Sequence, residues 1–120
     1  MNIAYRLLLL FFITTASAQA EEIDQSAALK ALQQADSVLI DVRTEEEHAK
    51  GSLPGARRIE TEHLAQHIAS IAPDKDAPIV LYCRSGRRSA AAQDLLQAMG
   101  YRHVINAGSY QDLQGLVSRP

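Results

Sequence analysis

Two hydrophobic rhythms alternate along the chain. "SAALKALQQA" (Ser26 to Ala35) sets Leu29 and Leu32 at helical spacing, and "SVLIDV" (Ser37 to Val42) then reads as a buried strand. "TEEE" (Thr44 to Glu47) has the residues of a capping box and predicts the start of a short helix. The loop "GSLPGA" is rich in turn formers, and Arg57 to Ile59 predicts a short strand. Leu64, Ile68 and Ile71 recur at i, i+4 and i+7, marking an amphipathic helix that ends before Pro73. "PIVLY" (Pro78 to Tyr82) is continuously apolar with β-branched residues, the pattern of a central strand covered on both faces. Ser89 to Met99 predicts a helix with Leu95, Leu96 and Met99 on its inner stripe and Gly100 as its stop. "HVIN" (His103 to Asn106) predicts another strand, and a weak last helix runs from about Ser109 to Leu116.

Strands alternating with helices imply an α/β fold, a mostly parallel central sheet with helices on both faces. In such folds ligands bind beyond the carboxyl ends of strands. The chain's one cysteine, Cys83, falls at such an end.

The first twenty residues break the pattern. Arg6 precedes a wholly apolar run from Leu7 to Ile13, and "ASAQA" (Ala16 to Ala20) supplies small residues. That layout predicts a secretory signal peptide over 1–20, cleaved after Ala20 or Ala18, followed by a single domain over 21–120. Its apolar part is too short to span a bilayer, so no membrane association is expected after cleavage. The formal charge of −2 becomes −3 once Arg6 is lost. A mildly acidic balance gives no reason to expect nucleic acid or an anionic membrane as partner. Export implies an oxidising compartment, the periplasm, where one cysteine cannot make an internal bridge and stands as a free reactive thiol or an inert core residue.

The neighbours of Cys83 choose between these. "CRSGRRS" (Cys83 to Ser89) joins a strand end to a helix start. Gly86 permits unusual dihedrals there, and the backbone N–H groups from Arg84 through Ser85, Gly86, Arg87 and Arg88 to Ser89 can turn inward as an anion-binding nest. The helix dipole and the charges of Arg84, Arg87 and Arg88 add positive potential. A thiol so placed titrates below its ordinary value and is a nucleophile.

At this point a resemblance appears. "CRSGRRS" resembles the C-x-x-G-x-R-S active loop of the rhodanese-like sulfurtransferases. "LIDVR" (Leu39 to Arg43) is similar to that family's upstream strand, and "EEEHAKGSLPGARRI" (Glu45 to Ile59) to its E-x-x-x-G-H-I-x-G-A segment. "LLQAMGYRHVINAGSYQDL" (Leu95 to Leu113) resembles its closing helix, strand and Gly-rich turn. The similarity runs from about Ile23 to Leu113 and is greatest to the small single-domain periplasmic rhodaneses. Ser52 stands where the family has His, Ser109 replaces the second Gly of the turn, and a C-terminal Trp is lacking.

The resemblance implies a thiosulfate sulfurtransferase. Cys83 attacks the sulfane sulfur of thiosulfate, carries it as a persulfide held by the loop N–H groups, and yields it to cyanide or a thiol. It implies no metal or organic cofactor, and a monomer is favoured. A basic residue directly after the cysteine, here Arg84, resembles the thiosulfate-using class. Asp41 and Arg43 read as a supporting ion pair. Arg88 either contacts substrate or braces the loop against Asp41 or Glu47. His63 and His67 have a metal-compatible i, i+4 spacing but lack a third ligand in sequence, so no metal site is expected.

Three other functions share parts of this pattern. Cysteine phosphatases and arsenate reductases use a loop of seven residues from Cys to Arg, whereas Cys83 to Arg88 counts six, a smaller cradle that suits a lone sulfur better than a tetrahedral phosphate. Non-catalytic rhodanese-like binding modules typically lose the cysteine that this chain keeps. A persulfide carrier serving a protein thiol would use the same Cys83 chemistry, and sequence does not separate it from an enzyme.

Overall fold

The computed structural model describes residues 23–117; the expected leader lies outside the described residues. The elements, in chain order, are α1 (Gln25–Leu32), β1 (Val38–Asp41), α2 (Glu45–Ala49), β2 (Arg57–Arg58), α3 (Thr61–Ile71), β3 (Ile79–Cys83), α4 (Arg87–Ala98), β4 (Val104–Ser109) and α5 (Tyr110–Val117). The strands form one sheet in the order β2-β1-β3-β4, and every pairing is parallel. Among the described residues no helix is long and apolar enough to cross a membrane.

Alternation along the strands builds two cores, one on each face. Ile40, Ile79, Leu81 and Cys83 meet Leu64 and Ile68 of α3 and Ala92 and Leu96 of α4. Leu39, Val80 and Tyr82 face the other way, onto Ala28 and Ala31 of α1 and Leu113 of α5. Each fully buried Leu or Ile contributes about 1.5–3 kcal/mol by leaving water, so this two-sided burial stabilises the central strands most. The predicted α/β layering is the one observed.

Boundaries shift where tertiary packing overrides local pattern. α4 starts at Arg87 because Gly86, at φ +90°, turns the chain directly from β3 into the helix. Its buried stripe is Ser89, Ala92, Gln93 and Leu96, whereas Leu95 and Met99, expected inside, are only partly buried. Small side chains in its first turns let that end lie close against β3 and β4. β4 runs on to Ser109, which was expected to open a helix. A register shift between Leu81 and Cys83 brings Cys83 opposite Ser109. Gly108 sits at φ +86°, and the hydroxyl of Ser109 accepts from Asp112 N–H at 3.2 Å, capping α5. No non-glycine among the described residues has positive φ, so Ser109 needs no glycine's freedom.

Chain connections leave β1 toward β2 on one side and β3 toward β4 on the other. The carboxyl ends of β1 and β3 therefore flank a topological switch point, where such sheets bind ligands.

Candidate active site

Cys83 ends β3 with its side chain on the α3–α4 face of the sheet and no exposed surface. Its sulfur is not left in an apolar void. The Gly86 N–H points at Sγ from 2.9 Å, and the Ser89 hydroxyl lies 3.4 Å away. Burial pushes the thiol's pKa up, but hydrogen bonds from the Ser89 side chain and from the N–H groups of Ser89, Ser85 and Gly86 outweigh it. The net shift is downward, toward thiolate. The sequence attributed this lowering to the loop N–H nest, arginine charge and helix dipole together; the contacts that produce it are the nest's hydrogen-bond donors and the Ser89 hydroxyl aimed at the sulfur.

The arginines divide into two kinds. Arg84 and Arg87 are exposed, and neither has an ion pair among the described residues. Arg88 instead forks onto Glu47 of α2, with Nη1 at 2.7 Å and Nη2 at 2.9 Å from the carboxylate. The Arg88 guanidinium holds Glu47 at about 2, assisted by the Thr44 backbone and hydroxyl and opposed by burial. Thr44 and Glu47 also complete the capping box, each accepting from the other's N–H at 3.2 Å. Glu47 thus starts α2 and clamps α4 at once.

Asp41 and Arg43 form a second, deeper pair at the end of β1. Asp41 accepts from Arg43 Nε at 2.9 Å, Arg43 Nη2 at 2.7 Å and the Arg43 N–H at 2.9 Å. His48 Nδ1 at 2.8 Å and the Tyr82 hydroxyl at 3.1 Å complete its shell. Burial pushes the Asp41 carboxyl up, yet the bonds from Arg43 and His48 carry it below its ordinary value. A buried carboxylate accepts only, so the His48 proton sits on Nδ1. Arg43 also donates to the Gly51 carbonyl at 2.7 Å and lies 4.4 Å from the Tyr110 ring centre. Burial raises the Tyr82 hydroxyl to about 12, so it stays a proton donor.

A cleft of about 380 Å³ opens beside the loop, lined by Arg43, Glu47, Lys50, Arg84, Tyr110 and Gln111. Lys50 and Arg84 supply two cations without ion pairs among the described residues, which suits an anionic ligand. A second cleft, about 370 Å³, lies at the sheet edge along Arg57 to Glu60, with His63 and His67 on its wall. It includes no residue of the Cys83 loop.

The structure therefore brings Cys83, Ser85, Gly86 and Ser89 together around the sulfur and sets Arg84 at a cleft. Arg88 and Glu47 meet as one brace, and Asp41 and Arg43 as another. Sequence reasoning missed Asn106, 1 % exposed, whose amide touches Ser89, Gly86 and Gly108. A polar residue in an otherwise buried strand was its signal. Lys50, Tyr110 and Gln111 lie within the family-like segments but were given no role, because they reach the cleft only through folding.

One family model, described as the Rhodanese-like domain, matches residues 24–115. The chain is 39% identical over 74 residues to the thiosulfate sulfurtransferase PspE of Escherichia coli strain K12, covering 62% of this chain and 71% of that protein. It is 32% identical over 87 residues to the human thiosulfate:glutathione sulfurtransferase, covering 62% and 76%. Among solved structures, a rhodanese with anions from E. coli superposes with a TM-score of 0.63 at 36% identity, covering 70% of this chain and 94% of that one. The human single-domain sulfurtransferase TSTD1 gives 0.65 at 27% identity, covering 75% and 91%.

Proposed function

Because the chain belongs to the rhodanese-like domain family, we propose that it is a thiosulfate sulfurtransferase working through a persulfide on Cys83. The observation that carries this reading is the buried sulfur facing the Gly86 N–H at 2.9 Å, with its pKa lowered by loop donors.

Two displacements follow, and both balance. The Cys83 thiolate attacks the outer sulfur of thiosulfate, forming a new S–S bond while the old one breaks and sulfite leaves with its electron pair. The enzyme keeps one negative charge, now on the terminal sulfur of Cys83–S–S⁻, and the loop N–H groups of the nest stabilise it there. Cyanide, or an acceptor thiolate, then attacks that terminal sulfur and departs as thiocyanate or as a persulfide, restoring the Cys83 thiolate. No step needs a metal or an organic cofactor. Arg84, with Lys50, holds the anionic end of the donor in the cleft at the loop's side while the outer sulfur enters. Arg87, exposed on the same loop, adds to the field. Removal of the leader would leave the protein in the periplasm.

Intact mass measured after thiosulfate treatment tests the mechanism. The wild type should gain one sulfur, about 32 Da, and Cys83→Ser should gain nothing. Turnover in the thiosulfate:cyanide assay should fall at least about a hundredfold in that variant. A serine variant with more activity than that would remove Cys83 from the reaction. Loading without turnover toward cyanide would point to a persulfide carrier for a protein thiol.

A further inference from the structure

Asn106 lies on β4, apart in sequence from the active loop, yet both polar atoms of its side chain are committed to that loop and to Gly108. Its Nδ2 donates to the Gly86 carbonyl at 3.0 Å, and its Oδ1 accepts from the Gly108 N–H at 3.0 Å. These two bonds fix the amide's orientation, because a flipped amide would set acceptor against carbonyl and donor against N–H. Oδ1 also accepts from the Ser89 hydroxyl at 2.7 Å. That same hydroxyl oxygen lies 3.4 Å from Cys83 Sγ.

A serine hydroxyl has one proton to give. With Cys83 a thiol, the proton chain runs S–H to Ser89 Oγ, and Ser89 O–H to Asn106 Oδ1. With Cys83 a thiolate, Ser89 turns its proton onto Sγ. Asn106 Oδ1 is then still satisfied by the Gly108 N–H, so no buried acceptor is orphaned. In the persulfide the charge has moved out to the terminal sulfur, and Ser89 can return its proton to Asn106.

We propose that Asn106 is a positioning residue for the nucleophile. It gives the Ser89 proton a resting acceptor, and its Nδ2 holds Gly86 so that the Gly86 N–H stays on the sulfur. The Gly86 bond keeps a donor on Sγ as its charge appears and leaves, and the resting acceptor holds the Ser89 hydroxyl beside the sulfur while Cys83 is a thiol. The proposal rests on Cys83 being the reacting group, but its test needs no sulfur transfer. The charged groups at this end of the sheet are Arg88 with Glu47 of α2, Arg84 and Arg87 at the loop, and, on the Tyr82 side, Asp41, Arg43 and His48. An Asn106→Ala substitution alters none of them.

The rate of Cys83 alkylation by iodoacetamide on folded protein, taken at each pH relative to its alkaline plateau, reports the thiolate fraction, because access to the buried sulfur sets the plateau and cancels. Asn106→Ala frees Gly86 and should lower that rate about tenfold on the acidic limb of the profile, the effect of the Gly86 N–H leaving a charged sulfur. Ser89→Ala should lower it comparably, and the double variant should lose clearly less than the product of the two, because Asn106 also places the Ser89 hydroxyl beside the sulfur. Asn106→Asp keeps the side chain's size but sets a carboxylate oxygen against the Gly86 carbonyl, so it should lose more than the alanine variant. In NMR spectra the Gly108 amide proton should shift as Cys83 titrates, and this response should vanish in Ser89→Ala. An alkylation profile within about twofold of wild type in both Asn106 variants would overturn the proposal, whatever their thermal stability. So would a Gly108 amide that ignores the titration. Failure of sulfur loading with an altered profile would instead count against the sulfurtransferase mechanism and leave the role of Asn106 standing.

Discussion

Replacing Arg88 by alanine tests whether the fork onto Glu47 holds the active loop. Glu47 is held at about 2, against its ordinary 4.5. At about 1.36 kcal/mol for each pH unit, that displacement sets a ceiling of about 3.4 kcal/mol on the pair's contribution. The pair is not deeply buried: 39% of the Arg88 side chain and 25% of the Glu47 side chain are exposed. Water screens it, and exposed pairs typically contribute below about 1 kcal/mol. The bidentate geometry argues for more than that, so about 1–2 kcal/mol is expected at neutral pH. For a domain of this size Tm should fall by about 5–10 °C. Turnover should fall with it, since Arg88 is the second residue of α4 and fixes the end of the sulfur-binding turn.

The pH dependence gives a sharper check. A carboxylate with a depressed folded-state pKa stabilises fully above its ordinary value, and that stability is lost as pH falls through the folded value. The gap between wild type and Arg88→Ala should be complete at pH 7 and shrink between pH 4.5 and about 2. Urea unfolding at several pH values measures it. Arg88→Lys, which keeps the charge but not the fork, should recover only part of the gap. Equal stability at pH 7, or a gap as wide near pH 2 as at neutrality, would refute the brace.

Three other outcomes follow from the same contacts. Arg84→Ala should raise KM for thiosulfate about tenfold with a smaller change in kcat, and should flatten the fall of kcat/KM with salt, as steady-state kinetics would show. Asp41→Asn leaves the Arg43 guanidinium, 5 % exposed, facing a neutral amide; chemical denaturation should record a loss of about 3 kcal/mol or more. N-terminal sequencing of the exported protein should find Glu21 as the first residue, and an intact Met1 would remove the periplasmic assignment.

What the sequence determined by itself was local. The period of apolar residues placed the longer elements, among them β1, α3 and β3, because burial of one face or of both leaves its rhythm in the chain. The capping box at Thr44 and Glu47 and the turn at Gly86 were legible because both are made within a few residues. So was the strand–loop–helix setting of Cys83. Local rhythm failed at α4, where packing against the sheet selected Ala92 and Gln93 over Leu95 and Met99. Only the tertiary structure decided which distant groups meet. Parallel strands pair β1 with β3 and β3 with β4, bringing Asp41 within 3.1 Å of the Tyr82 hydroxyl and Asn106 within 2.7 Å of Ser89. It also gave Glu47 to Arg88, where sequence left a choice of partners. A charge or an amide constrains nothing about its partner at forty residues' distance. That choice is made by the sheet's register, which fixes the chain ends around one point and sets buried groups such as Asp41 and Asn106 against the donors that satisfy them.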